Sequence, residues 1–157
     1  MTVELQEEVK MVKNYVSLYK MTHIGMPFIE WKVDAGIPFH TSIPSMSIQI
    51  PVENALKYAF GNDNSRCDII SIVIKSENHG LSIHISDNGC GYNPGKLGNN
   101  ELGTGNGLKV LSRTIELLNT QNSVPIQFNI CNLKSRNLAE TGTLVTLFIP
   151  YKYKFNL

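Results

Sequence analysis

The chain has 157 residues, 42% of them apolar and 17% charged, with a formal net charge of +1, which suits one globular domain able to bury a core without staples. Its basic residues are scattered, so it offers no electrostatic footprint for duplex nucleic acid or an anionic membrane. Cys67, Cys90 and Cys131 are odd in number and lack C-x-x-C spacing, which argues against a disulfide framework or zinc site and for free thiols in a reducing compartment.

Residues 1–8 are acidic without an apolar run and do not form a secretory signal. No later segment reaches the ~18 consecutive apolar residues of a membrane span. Leu5, Val9, Val12, Val16 and Tyr19 recur at helical steps, predicting a helix from residue 3 to about 20. Such a seam either packs into the core or forms part of a linker from an upstream helical domain. Ile29, Trp31 and Val33 alternate with Glu30 and Lys32, predicting a half-buried strand that stops before Asp34-Ala35-Gly36. Pro44 suits the first turn of a helix running towards Phe60, and Pro51 inside that helix predicts a kink near Ser47.

Ile69, Ile70, Ile72, Val73 and Ile74 form a β-branched run, and Leu81, Ile83 and Ile85 alternate with polar residues beyond Asn78-His79-Gly80. This is a hairpin pattern whose second strand delivers Asp87 at its end. Pro94, Gly95, Gly98 and Asn99-Asn100 predict a short mobile lid over residues 92–102. Leu108, Leu111, Ile115 and Leu118 mark an amphipathic helix, and strands follow around residues 126–133 and 144–149. Helices grouped on one face of a mixed, mainly antiparallel sheet make an α+β two-layer sandwich.

Three polar segments carry the chemistry. Asp87 in Asp87-Asn88-Gly89-Cys90-Gly91 is an acceptor-only carboxylate where a strand gives way to glycines. It can meet the exocyclic amino group of adenine while the glycines let the backbone approach the ring. Asp-Asn-Gly alone is also a good turn sequence. Asn54, Lys57 and Tyr58 stand at i, i+3 and i+4, which puts an amide, an ammonium and a phenol on one helix face suited to phosphates and Mg²⁺. Gly103-Thr104-Gly105-Asn106-Gly107-Leu108 opens a helix, so its free amides and positive dipole end suit a phosphate chain. Its spacing fits neither a dinucleotide fold nor a P-loop.

Together these segments resemble the N, G1 and G2 boxes of the GHKL (HATPase_c) superfamily, which unites sensor histidine kinases, DNA gyrase, Hsp90 and MutL on the Bergerat ATP-binding fold. Pro51-Val52-Glu53-Asn54-Ala55-Leu56-Lys57, with Glu8, Val12, Asn14 and Tyr15 upstream, is most similar to the catalytic domains of LytS/YehU-type sensor histidine kinases. The resemblance implies ATP and Mg²⁺ as cofactors. Asp87 would face adenine, Asn54 would hold the metal, and Lys57 and Tyr58 would meet the terminal phosphates. Gly89, Gly91, Gly103, Thr104, Gly105, Asn106, Gly107 and Leu108 would complete the nucleotide site. Thr143 resembles the threonine that opens the last core strand and helps hold the aspartate or a water. Glu53 and Lys57 are the catalytic candidates, Glu53 by polarising the acceptor imidazole.

The resemblance further implies that residues 1–22 lead from a dimerisation and phosphoacceptor region and that residues 23–157 are the catalytic domain. That domain would be a cytoplasmic part of a membrane-bound sensor, without direct membrane contact. Its partners would be a phosphoacceptor histidine domain of the same protein and a response regulator receiver domain.

Some positions depart from the pattern. Ile50 stands where gyrase, Hsp90 and MutL relatives carry a glutamate base, and an isoleucine cannot take a proton. Cys90 and Asn106 replace the commoner residues of their boxes. Pro-His-Phe-Leu is absent, and His23, His40, His79 and His84 read as structural or exposed. The rival readings are an anti-sigma-factor-type serine kinase and a non-catalytic nucleotide-binding docking module.

Overall fold

The computed structural model describes residues 2–60, 67–92 and 106–155. In chain order these form β1 (Thr2–Glu4), α1 (Leu5–Thr22), β2 (Phe28–Val33), β3 (Ser42–Pro44), α2 (Gln49–Asn54), β4 (Ile69–Glu77), β5 (Gly80–Asp87), α3 (Gly107–Asn119), β6 (Gln127–Asn132) and β7 (Thr143–Pro150). Five strands make one sheet in the order β2-β4-β5-β7-β6. β2 is parallel to β4 and every other pair is antiparallel. The β4–β5 hairpin turns through Asn78 and His79 at φ 51° and 57°, left-handed geometry that matches the twist of the strands it joins.

Alternation then sorts the side chains. Ile70, Ile72 and Ile74 of β4, Ile83 and Ile85 of β5, and Leu147 and Ile149 of β7 share a core with Leu5, Val9 and Val12 of α1, Val52 of α2, and Leu111 and Ile115 of α3. Each fully buried side chain of this kind stabilises by about 1.5–3 kcal/mol. The result is the expected α+β two-layer sandwich, and the seam of α1 packs into its core. Asp87, opposite Ile70 in register, ends the core-facing row of β5. Among the described residues no helix is long and apolar enough to cross a membrane, and the three cysteines are free.

The histidines have local partners or lie in a turn. His23 stacks on Tyr19 with ring centroids 3.7 Å apart, His40 lies 3.1 Å from Glu4 and His79 sits in the hairpin turn. His84 lies 2.9 Å from the Ser82 hydroxyl, and burial holds its imidazole below the usual histidine value.

Pro44 does not open a helix, contrary to expectation. It ends β3, which pairs with β1 in the register Thr2↔Pro44, Val3↔Ile43 and Glu4↔Ser42. The helix begins only at Gln49, so Pro51 falls within its first turn, where a missing N–H breaks no intrahelical bond. In place of a kink at Ser47, the chain turns at Met46 with φ 65°.

α2 has no side-chain cap of its own. The cap arrives from α1: the Glu8 carboxylate, 1% exposed, accepts the amides of Met46 at 3.1 Å, Ile48 at 3.1 Å and Gln49 at 3.2 Å. A negative charge is favoured at a helix start, and the free amides there require an acceptor. Past Asn54 the helix widens into one π-helical turn, Ala55–Ala59. Replacing Glu8 by alanine strands these amides in the interior and is expected to lower the unfolding free energy by about 3 kcal/mol. Glu8→Gln, which keeps an acceptor oxygen, is expected to lose less; urea titration measures both.

Candidate functional site

β5 delivers Asp87 to the mouth of a cleft between the sheet and α2. The carboxylate is 7% exposed, and its Oδ1 accepts the Gly89 amide at 2.9 Å and the Thr143 amide at 3.3 Å. Thr143 thus holds the aspartate through its main chain. Asn88 pins the turn from outside: its Oδ1 accepts the Ile69 amide at 2.8 Å and its Nδ2 donates to the Cys67 carbonyl at 2.8 Å. A side chain here continues the strand pairing that the turn interrupts, so Asp87 is fixed in direction.

The glycines are needed for contact between backbones. A Cβ built on Gly89 would lie 2.1 Å from the Ala59 carbonyl oxygen, and the next amide, Cys90 N–H, donates to that same oxygen at 2.9 Å. Gly91 has φ +92°, and a Cβ there would meet Asn132 Oδ1 at 2.7 Å. Asn132, at the end of β6, accepts the Tyr92 amide and donates to the Tyr92 carbonyl at 3.0 Å. A Cβ on Gly142 would lie 1.8 Å from the Asp87 carbonyl oxygen.

Ile85 and Val145 form the floor of the cleft, and Pro51, Ala55, Ala59 and Leu108 form its apolar walls. Asn54, Tyr58, Asp87 and Thr143 supply polar groups on its lining. Apolar walls with a few convergent polar groups suit a flat heteroaromatic ring carrying a polar tail. Among the described residues, buried Asn54 Nδ2 has no hydrogen-bond partner.

The expected face of Asn54, Lys57 and Tyr58 is only partly assembled. Asn54 and Tyr58 line the cleft, whereas among the described residues Lys57 does not. Lys57 is paired with Glu53, and that hydrogen bond holds its ammonium above the usual value. The pair faces α1, where burial and then the Glu53 charge push the Tyr15 phenol up. The cause is local: the π-helical turn at Ala55–Ala59 has more residues per turn than an α-helix and rotates Lys57 off the face that ordinary spacing gives it.

Leu108 opens the buried row of α3 and reaches the cleft. Gly107 lies against Ile50, whose Cγ2 would be 3.0 Å from a Cβ at that position. The Asn106 carbonyl accepts the Val110 amide at 2.8 Å, the first bond of the helix. Gly103, Thr104 and Gly105, and all of the expected lid except Tyr92, lie outside the described residues.

Sequence reasoning missed Asn88, Asn132 and Gly142 as builders of the site. Thr141-Gly142-Thr143 held a usable signal in its glycine, but Asn132 had none. Gly89→Ala would force the Asp87 turn away from Ala59 at an expected cost of about 1–3 kcal/mol. Denaturant unfolding measures that loss, and nucleotide titration of the same variant is expected to show weakened binding.

The sequence pattern of the histidine kinase-, DNA gyrase B- and HSP90-like ATPases matches residues 48–153. The sensor protein LytS of Staphylococcus haemolyticus is 31% identical over 157 residues, covering 95% of this chain and 25% of that protein. The sensor histidine kinase/phosphatase LytS of Staphylococcus aureus is 30% identical over 158 residues, 96% of this chain and 25% of its own length. The chain thus spans about a quarter of the length of the curated relatives it matches. The mycobacterial sensor histidine kinase MprB shares the fold at 14% identity, with a TM-score of 0.63 over 96% of each chain. The family pattern runs from the start of α2 to beyond β7, through Asn54, Asp87 and Thr143, and the chain therefore belongs to the histidine kinase-, DNA gyrase B- and HSP90-like ATPases, an ATP-binding family.

Proposed function

We propose that this chain is the catalytic domain of a LytS-type sensor histidine kinase, which donates the γ-phosphate of ATP to a histidine on an upstream domain for relay to a response regulator. The observation that carries the reading is the Asp87 carboxylate, fixed by the Gly89 and Thr143 amides over an apolar floor. An ionised carboxylate only accepts hydrogen bonds, so it selects the amino group of adenine over the carbonyl of guanine. Similarity to the LytS sensors along nearly the whole chain supports the same reading. On it, residues 1–22 lead from the phosphoacceptor region, and the domain is a cytoplasmic part of a membrane-bound sensor.

The residues present fit a magnesium ion brought in with the phosphates. Asn54 lines the cleft, and its side-chain amide carries one oxygen, the atom type that a hard cation takes. Mg²⁺ keeps several waters and needs few protein oxygens when phosphates share it. When bound, it neutralises charge on the transferring phosphoryl group. Asn54 and Tyr58 orient the phosphate end, and Leu108 with Ala55 keeps water from the ring. Lys57 reaches the terminal phosphate by exchanging Glu53 for it, which frees the Glu53 carboxylate to polarise an incoming imidazole. Gly103, Thr104, Gly105, Asn106 and Gly107 would lay their amides along the phosphate chain. Phosphoryl transfer depends chiefly on positioning and charge, so no further base is required.

Asp87→Asn is expected to weaken ATP binding by about 1.5–3 kcal/mol through loss of a charged hydrogen bond. Unchanged affinity by calorimetry refutes the adenine assignment. Incubation with γ-labelled ATP and the parent's separately produced phosphoacceptor domain is expected to label that domain with phosphate that is lost in acid. Acid-stable label points to a serine acceptor, and bound ATP without any transfer points to a non-catalytic module.

A further inference from the structure

Among the described residues the Asn54 side-chain nitrogen has no hydrogen-bond partner, so this residue, the last of α2 before the π-helical turn, is placed by its backbone. Two contacts from α1 hold that backbone. Ahead of Asn54, Glu8 binds the amides of Met46, Ile48 and Gln49. Beyond it, the Tyr19 hydroxyl donates to the Leu56 carbonyl at 3.2 Å, inside the π-helical turn. Glu8 and Tyr19 are separated by about three helical turns, so they project from one face of α1. Tyr19 is itself restrained, packed against the core on one side and stacked on His23 with an interplanar angle of 1°.

We infer that Tyr19, acting with Glu8, is a positioning residue for the Asn54 amide: α1 grips the Asn54 helix at both ends and so sets where that amide meets the phosphate-bound metal. This rests on the reading of the cleft as a Mg²⁺-nucleotide site. The base end of the cleft does not depend on this grip, because Asp87 is held by Gly89 and Thr143. Removing the Tyr19 hydroxyl therefore separates two components of affinity. The component that needs the metal falls, and the component that needs only the base stays. It also makes the pose of α1 an input to the site, so that a domain attached ahead of α1 can change metal-dependent affinity without touching the nucleotide.

The test is calorimetric titration of the wild-type chain and Tyr19→Phe with a non-hydrolysable ATP analogue, in EDTA and in Mg²⁺. The variant is expected to keep its metal-free affinity, with its melting midpoint lowered only by the few degrees that one hydrogen bond accounts for, while the gain in affinity on adding Mg²⁺ shrinks about fivefold, the scale of that bond. An unchanged Mg²⁺ gain overturns the inference and leaves the nucleotide site standing. A parallel fall in metal-free affinity and melting midpoint also overturns it, since Tyr19 is then only a packing residue. A wild-type chain that binds the analogue in neither buffer overturns the site, and the inference with it.

Discussion

The close approach of two backbones, at Gly89 and at Ala59, joins the halves of this molecule into a cleft. The Cys90 amide reaches the Ala59 carbonyl at 2.9 Å, and only a residue without a side chain fits beside it. Through that contact the end of β5 is tied to the end of the turn that carries Tyr58 and follows Asn54. On the proposed function the sheet supplies the base end and the helix the phosphate end, so their separation is set by main-chain geometry. Gly142 repeats the device on the other side of Asp87, where a Cβ would collide with the aspartate's own carbonyl. Backbone atoms have no rotamers to average over, which makes this end of the cleft preorganised for a flat ligand.

The opposite end is built differently. Asn54 ends a six-residue helix, too short to be stable by itself, and its position is borrowed from α1 through Glu8 and Tyr19. On the same reading, a rigid base end and a phosphate end that depends on another element give one cleft two different mechanical characters.

Much of the sheet was legible because its signals are local. The alternation at Leu81, Ile83 and Ile85 fixes which face Asp87 joins, and the row Leu108, Leu111, Ile115 and Leu118 marks the buried face of α3. The failures arise where a distant partner overrides local preference. Pro44 reads as a helix starter, yet it pairs with Thr2 in a strand too short to show alternation. Glu8 sits among polar neighbours at the start of the chain and is buried only because three amides of a remote turn require an acceptor. Ordinary helical spacing puts Lys57 on the face of Asn54 and Tyr58, whereas the π-helical turn, which no local residue pattern announces, turns it towards Glu53.

Ile50 has a consequence that follows from its chemistry alone. Its side chain lies against Gly107 at the start of α3, and an isoleucine cannot take a proton. On the proposed function, this position therefore offers no base to activate water, and loss of the triphosphate to hydrolysis is slow. The complex can then wait, loaded, and its rate of discharge is governed by how often the correct acceptor arrives.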